Sequence, residues 1–128
     1  MQYKNNPLSP HLQIYKWQIS SLLSIAHRIV GVINIIAITL ICIWTSSLLF
    51  GESNYEMTKI LLNSFLGKFI LIFLCWTFSF HILNEARHLA WDAGYGFDLK
   101  ITKITGALAF FGSFVLTIIF YLIGENIF

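Results

Sequence analysis

Charge is scarce in this chain. Lys, Arg, Asp and Glu make up 11% of its 128 residues, where a soluble domain carries about 25%. That shortage, beside an apolar fraction of 57%, excludes an ordinary soluble globule. The net charge of +2 is small, and no nucleic-acid partner is expected. Cysteine is equally rare. Cys42 and Cys75 each lie inside an apolar run, and neither a disulfide framework nor a zinc site has the spacing it needs. Their expected place is in packed helices as small buried residues. No signal peptide is legible: the first apolar stretch, Ile19 to Ile25, is broken by serines and then meets His27-Arg28. An Arg- and Ser-rich, acid-poor import leader is also missing. The expected compartment is therefore a bacterial inner membrane, or a mitochondrial one if the chain is organelle-encoded. Gly94-Tyr95-Gly96 reads as a turn, not a phosphate-binding loop, and no His-Glu-x-x-His occurs. Protease, kinase and hydrolase chemistry leave no trace.

Long apolar runs fill the space. Ile29 to Phe50 and Ile104 to Gly124 carry no charge, nor does Phe69 to Leu83, which extends back to Ile60 if Lys68 is tolerated. Each approaches the roughly 20 residues that cross a hydrocarbon core at about 1.5 Å per residue. The sequence thus predicts an all-α integral membrane protein with three transmembrane helices, at about 22–50, 60–88 and 102–125. An arm over about 1–20 precedes them. Pro7 and Pro10 disfavour helix in that arm, and Tyr15 and Trp17 suit a membrane interface. Lys4, Lys16, Arg28, Arg87, Lys100 and Lys103 fall on one side of the spans, and only Lys59 and Lys68 on the other. By the positive-inside rule the N terminus faces the cytoplasm or matrix.

Two polar clusters interrupt the apolar pattern. Ser24, His27, Arg28 and Gly31 share one helix face at i, i+3, i+4 and i+7. A hydroxyl, an imidazole and a guanidinium there can donate to a carbonyl or carboxylate at the membrane edge. The plainer alternative is an interfacial, snorkelling arginine with an incidental histidine. Gly31 permits close approach of a neighbouring helix or a flat ligand. The second cluster places His81, Glu85 and His88 on one stripe, with Arg87, Trp91 and Asp92 nearby. An ionisable side chain inside an apolar span is costly, which makes His81 a candidate ligand. The alternatives are a metal or haem ligand and an imidazole satisfied by a neighbouring hydroxyl or carbonyl. Asp92 and Asp98 are expected near Arg87 or Lys100 as ion-pair partners. His27 is expected level with His88, and His81 about two turns deeper. Axial ligands of one iron need nearly equal depth, so His27 suits a propionate better. A second axial ligand would come from another subunit.

The chain resembles the cytochrome b subunit of succinate dehydrogenase, one of two small membrane anchors of respiratory complex II. Three motifs in order carry the resemblance: the arm Pro7-Leu-Ser-Pro-His-Leu-Gln-Ile-Tyr-Lys16, then Ser24-x-x-His27-Arg28-x-x-Gly31, then His81 with Arg87-His-Leu-x-Trp-Asp-x-Gly94. The resemblance implies a single membrane-anchor domain over 1–128, completed by a partner anchor subunit. It implies that His81 ligates a b-type haem whose other axial histidine belongs to that partner. By the same resemblance Ser24 and Arg28 line a ubiquinone pocket, and His27, Arg28 and His88 approach the haem propionates. The implied partners are the second anchor, the iron–sulfur subunit, the flavoprotein subunit and membrane lipid, and the chain is no enzyme by itself. A haem-free structural anchor and an anchor of a fumarate reductase are the alternatives. A small transporter element ranks lower, since the third run offers only Thr105, Ser113, Thr117 and Tyr121 as polar groups. Two residues depart from the family pattern. Trp17 replaces a proline, and Glu85 stands where glycine is usual, one turn from His81. A carboxylate there crowds or charges the porphyrin face unless it turns to a polar partner.

Overall fold

A computed structural model describes residues 18–127. The expected arm, with Pro7, Pro10, Tyr15 and Trp17, lies outside the described residues. Within them the chain forms four α-helices and no strand: α1 (Ile19–Ser47), α2 (Glu52–Asn63), α3 (Phe65–Asp92) and α4 (Leu99–Ile127). A single 3₁₀ turn, Leu48–Phe50, joins α1 to α2. Three helices are long and apolar enough to cross a membrane, and α2 is the amphipathic exception. α1 has 29 residues, which is about 43 Å of helix, against a hydrocarbon core of about 30 Å. α1 and α3 therefore carry turns beyond the apolar slab, and these turns hold the polar clusters.

The second expected span, about 60–88, is divided. Ser64 adopts an extended conformation (φ −64°, ψ 159°) and caps α3 by accepting from the Gly67 amide at 3.1 Å. The chain turns so tightly here that a Cβ on Gly67 would strike the Leu61 and Leu62 carbonyls. The polar residues Asn63, Ser64 and Lys68 mark the place in the sequence, but counting charge alone passes over Asn63 and Ser64.

α3 lies between α1 and α4 and packs on each. What it buries is largely small and polar: Thr77, Ser79 and Asn84 on α3, Asn34 on α1, Ser113 and Thr117 on α4. Large apolar side chains such as Ile35, Ile43, Phe111 and Ile118 point outward. That inversion suits lipid, where apolar contact with a neighbouring helix gains little over contact with acyl chains. Small residues and interhelical hydrogen bonds then hold the bundle. Thr77 Oγ1 donates to Asn34 Oδ1 at 2.9 Å between α3 and α1. On the opposite side Trp76, Phe80, Phe110 and Phe114 stack between α3 and α4.

Thr77→Val keeps the side-chain shape and deletes the bond to Asn34. The expected cost is about 1 kcal/mol, at the upper part of the range for such bonds in membranes. It should appear as a lower midpoint in SDS-driven unfolding from mixed micelles. Thr45→Val should show no shift, because Thr45 bonds only to carbonyls of its own helix.

Candidate functional site

The polar clusters meet where the start of α1 passes the end of α3. The His81 imidazole packs on the backbone at Gly31, where a Cβ would lie 3.4 Å from its Cε1. One turn further along each helix, His27 and Glu85 come level. His27 Nε2 lies 3.2 Å from Glu85 Oε1, and His81 Nε2 lies 3.8 Å from the same oxygen. The His27 ring stacks on His81, with centroids 4.3 Å apart and planes 19° from parallel. It also lies 5.4 Å from the His88 ring. All three histidines form one column at the helix crossing.

This corrects the expected depths. His27 stands between His81 and His88, one turn from His81 instead of two. The ends of the apolar runs do not set the register between α1 and α3; the packing of the two helices does, the Thr77–Asn34 bond and the contact of His81 with Gly31 included. Face-to-face stacking also leaves no room for a porphyrin between these two rings, since axial imidazoles approach iron end-on. A haem on His81 must therefore lie on the ring's open side.

Several nitrogens in the column are unsatisfied. His81 Nδ1 is buried without a hydrogen-bond partner. His27 Nε2 is buried too, and although Glu85 is at ion-pair distance, the ring edge is out of line for a hydrogen bond. Buried imidazole nitrogens are normally paired. Here His27 Nε2 lies beside the Glu85 carboxylate, whereas His81 Nδ1 lies against Gly31.

Next to the column runs an open groove of about 430 Å³, lined by Ser20, Ser24, Asn84, Arg87, His88 and Trp91 among others. Arg87 is its fixed cation. Nη1 donates to Asn84 Oδ1 at 2.7 Å, Nη2 to the Thr102 carbonyl at 3.3 Å and Nε to Thr105 Oγ1 at 3.4 Å. Its guanidinium also sits 4.9 Å over the Trp91 ring. Gly106 packs against Arg87 and, more closely, against Leu23, whose Cδ1 a Cβ there would strike. Asp92 and Asp98 form no ion pair with Arg87 or Lys100 among the described residues. Arg87 turns across to α4 instead.

The candidates legible in the sequence are thus divided. His27, His81, Glu85 and His88 come together, and Ser24 lines the groove with His88 and Arg87. Arg28 is exposed on α1 and is not part of the groove lining. Asn84 is the residue that sequence reasoning gave no role, and Arg87 is expected from sequence as an ion-pair partner of Asp92 or Asp98 instead of the groove's cation. Their signal was present in the i, i+3 spacing of Asn84 to Arg87 and the i, i+4 spacing of Arg87 to Trp91.

Sequence comparison identifies the family. Residues 2–120 match the model of the succinate dehydrogenase/fumarate reductase transmembrane subunit family. The chain belongs to this family. It is 39% identical over 119 residues to a succinate dehydrogenase cytochrome b556 subunit of Rickettsia conorii, covering 93% of each chain. A cytochrome b560 subunit of Reclinomonas americana is 37% identical over 124 residues, covering 93% of this chain and 86% of that one. The cytochrome b556 subunit of Paracoccus denitrificans is 33% identical over 115 residues, at 90% and 88% coverage. Family and apolar helices together make this a multi-pass membrane protein.

Proposed function

We propose that the chain is a membrane-anchor, haem b-binding subunit of succinate:ubiquinone oxidoreductase that also helps to form its quinone site. The observation that carries this reading is the His81 imidazole. It is backed by Gly31, one nitrogen is unpaired, and its side chain is 31% exposed at the crossing of two membrane helices. The residues fit a haem if Glu85 turns aside, which its half-exposed position allows. His81 would then be one axial ligand, and a histidine of the second anchor subunit the other. His27, Arg28 and His88 would serve the propionates. When bound, haem supplies a one-electron carrier whose potential is tuned by its ligands and burial.

The chain's own groups do the rest. The Ser24 hydroxyl donates to a quinone oxygen, and Arg28 offsets charge that develops there during reduction. Arg87, locked to Asn84 and α4, adds positive potential to the same groove. Succinate oxidation would be the work of flavoprotein and iron–sulfur subunits docked on the inner face. The N terminus faces the cytoplasm or matrix, in a bacterial or organellar inner membrane. Direction is set by the partners and the quinone, so service in fumarate reduction uses the same anchor.

A second reading has one specific observation behind it. Glu85 Oε1 lies 3.8 Å from His81 Nε2, where iron would bind, which favours a haem-free structural anchor. A reduced-minus-oxidised spectrum of the purified complex separates the two. A b-type band is expected at about one haem per complex, and a flat spectrum would leave only the docking role.

A further inference from the structure

The carboxylate that makes haem less at home on His81 makes a small cation more so. We infer that His27, His81 and Glu85 form a binding site for a divalent first-row metal ion, occupied when haem is absent and exclusive with it. Two imidazoles and one carboxylate are a donor set suited to zinc or iron(II), with remaining positions open to water. Tetrahedral donors about 2.0–2.1 Å from zinc lie roughly 3.3 Å from one another. His27 Nε2 and Glu85 Oε1 are already 3.2 Å apart, and His81 Nε2 is 3.8 Å from that oxygen. One donor atom from each residue lies within 4.8 Å of the other two.

The site is built unevenly, in a way that suits capture. The His27 side chain is 14% exposed and its Nε2 has no hydrogen bond, so that donor is fixed and free of competing partners. Glu85 is 51% exposed and His81 31%, so these two can swing in. Near-parallel rings cannot aim both in-plane lone pairs at one ion, so His81 must turn out of the stack to bind it, which its exposure permits. His88 is not a member of the donor set, and no other group of three candidate donors occurs among the described residues. Two imidazoles plus a carboxylate hold the ion with a net charge of about +1 instead of +2, which eases its entry beside an apolar slab.

The experiment uses the full chain, produced without haem, in detergent, with Zn²⁺ as the probe in calorimetric titration. One Zn²⁺ per chain is expected. Removing an outer-shell partner of a metal site costs about 10–100-fold in affinity, so losing a direct donor in Glu85→Gln or His27→Gln should weaken binding at least tenfold. Glu56→Gln is the control, since Glu56 lies on α2 beside Lys59, and its affinity should equal the parent's. Parent affinity retained in Glu85→Gln, or no zinc uptake at all, overturns the site. The exclusion arm alone rests on the haem reading: zinc-loaded chain should not take up haemin until the zinc is chelated. Should the native complex show no b-type band, the haem reading fails while the zinc titration still reports on these three residues.

Discussion

His81→Ala should abolish the b-type band of the assembled complex while leaving the anchor in the membrane. Among the described residues there is no substitute at that position. His27 faces His81 ring to ring and cannot reach the same iron end-on, and His88 lies beyond His27 in the column. The bundle should tolerate the change, because His81 makes no hydrogen bond to another element and its Nδ1 is already unpaired. What is lost is a stack on His27 and a contact with Gly31. A small cavity remains, and added imidazole should restore part of the band by filling it. The measurement is the reduced-minus-oxidised spectrum, normalised to flavin. A full-amplitude band in His81→Ala would show that iron is held elsewhere.

Ser24→Ala should lower succinate:quinone reductase activity by about tenfold, the equivalent of one hydrogen bond of roughly 1.4 kcal/mol made in the transition state. Succinate oxidation with a soluble dye should be unchanged, because dye takes electrons before the quinone site. Ser24 is exposed in the groove, so removing its hydroxyl leaves no buried group unpaired and should not disturb assembly. The split between the two acceptors is the diagnostic reading. Equal loss with quinone and dye would mean that the substitution harms subunit docking. No loss with either would remove Ser24 from the quinone site.

The helical class and the three spans were legible because lipid imposes them. An apolar run that carries its own backbone hydrogen bonds has helix as its simplest form in a bilayer, and Ile29 to Phe50 announces one. The residue types of the site were legible for a related reason: a histidine such as His81 is too costly in an apolar run to lack a task. Two features could not be read this way. The break at Ser64 lies in an uncharged stretch, where Asn63 and Ser64 could equally be tolerated within one helix, and it depends on Gly67 letting the chain pass against the Leu61 and Leu62 carbonyls. The path of Arg87 depends on where α4 places Thr102 and Thr105, a contact between residues 15 and 18 positions apart.

By itself, then, the sequence determined that the chain spans a membrane three times and carries an imidazole-rich cluster toward its more basic side. Those properties follow from local hydrophobicity, helical periodicity and charge, which each segment expresses alone. Tertiary structure decided who meets whom. Glu85 joins His27 and His81, Ser24 shares its groove with Arg87, and His27 stands between the two other histidines. These relations depend on the sliding register of α1 against α3, and a few ångströms of slide change every partner. That register is held by contacts spread along the two helices, the Thr77–Asn34 hydrogen bond and the His81 ring on Gly31 among them, and no periodicity within either helix encodes it.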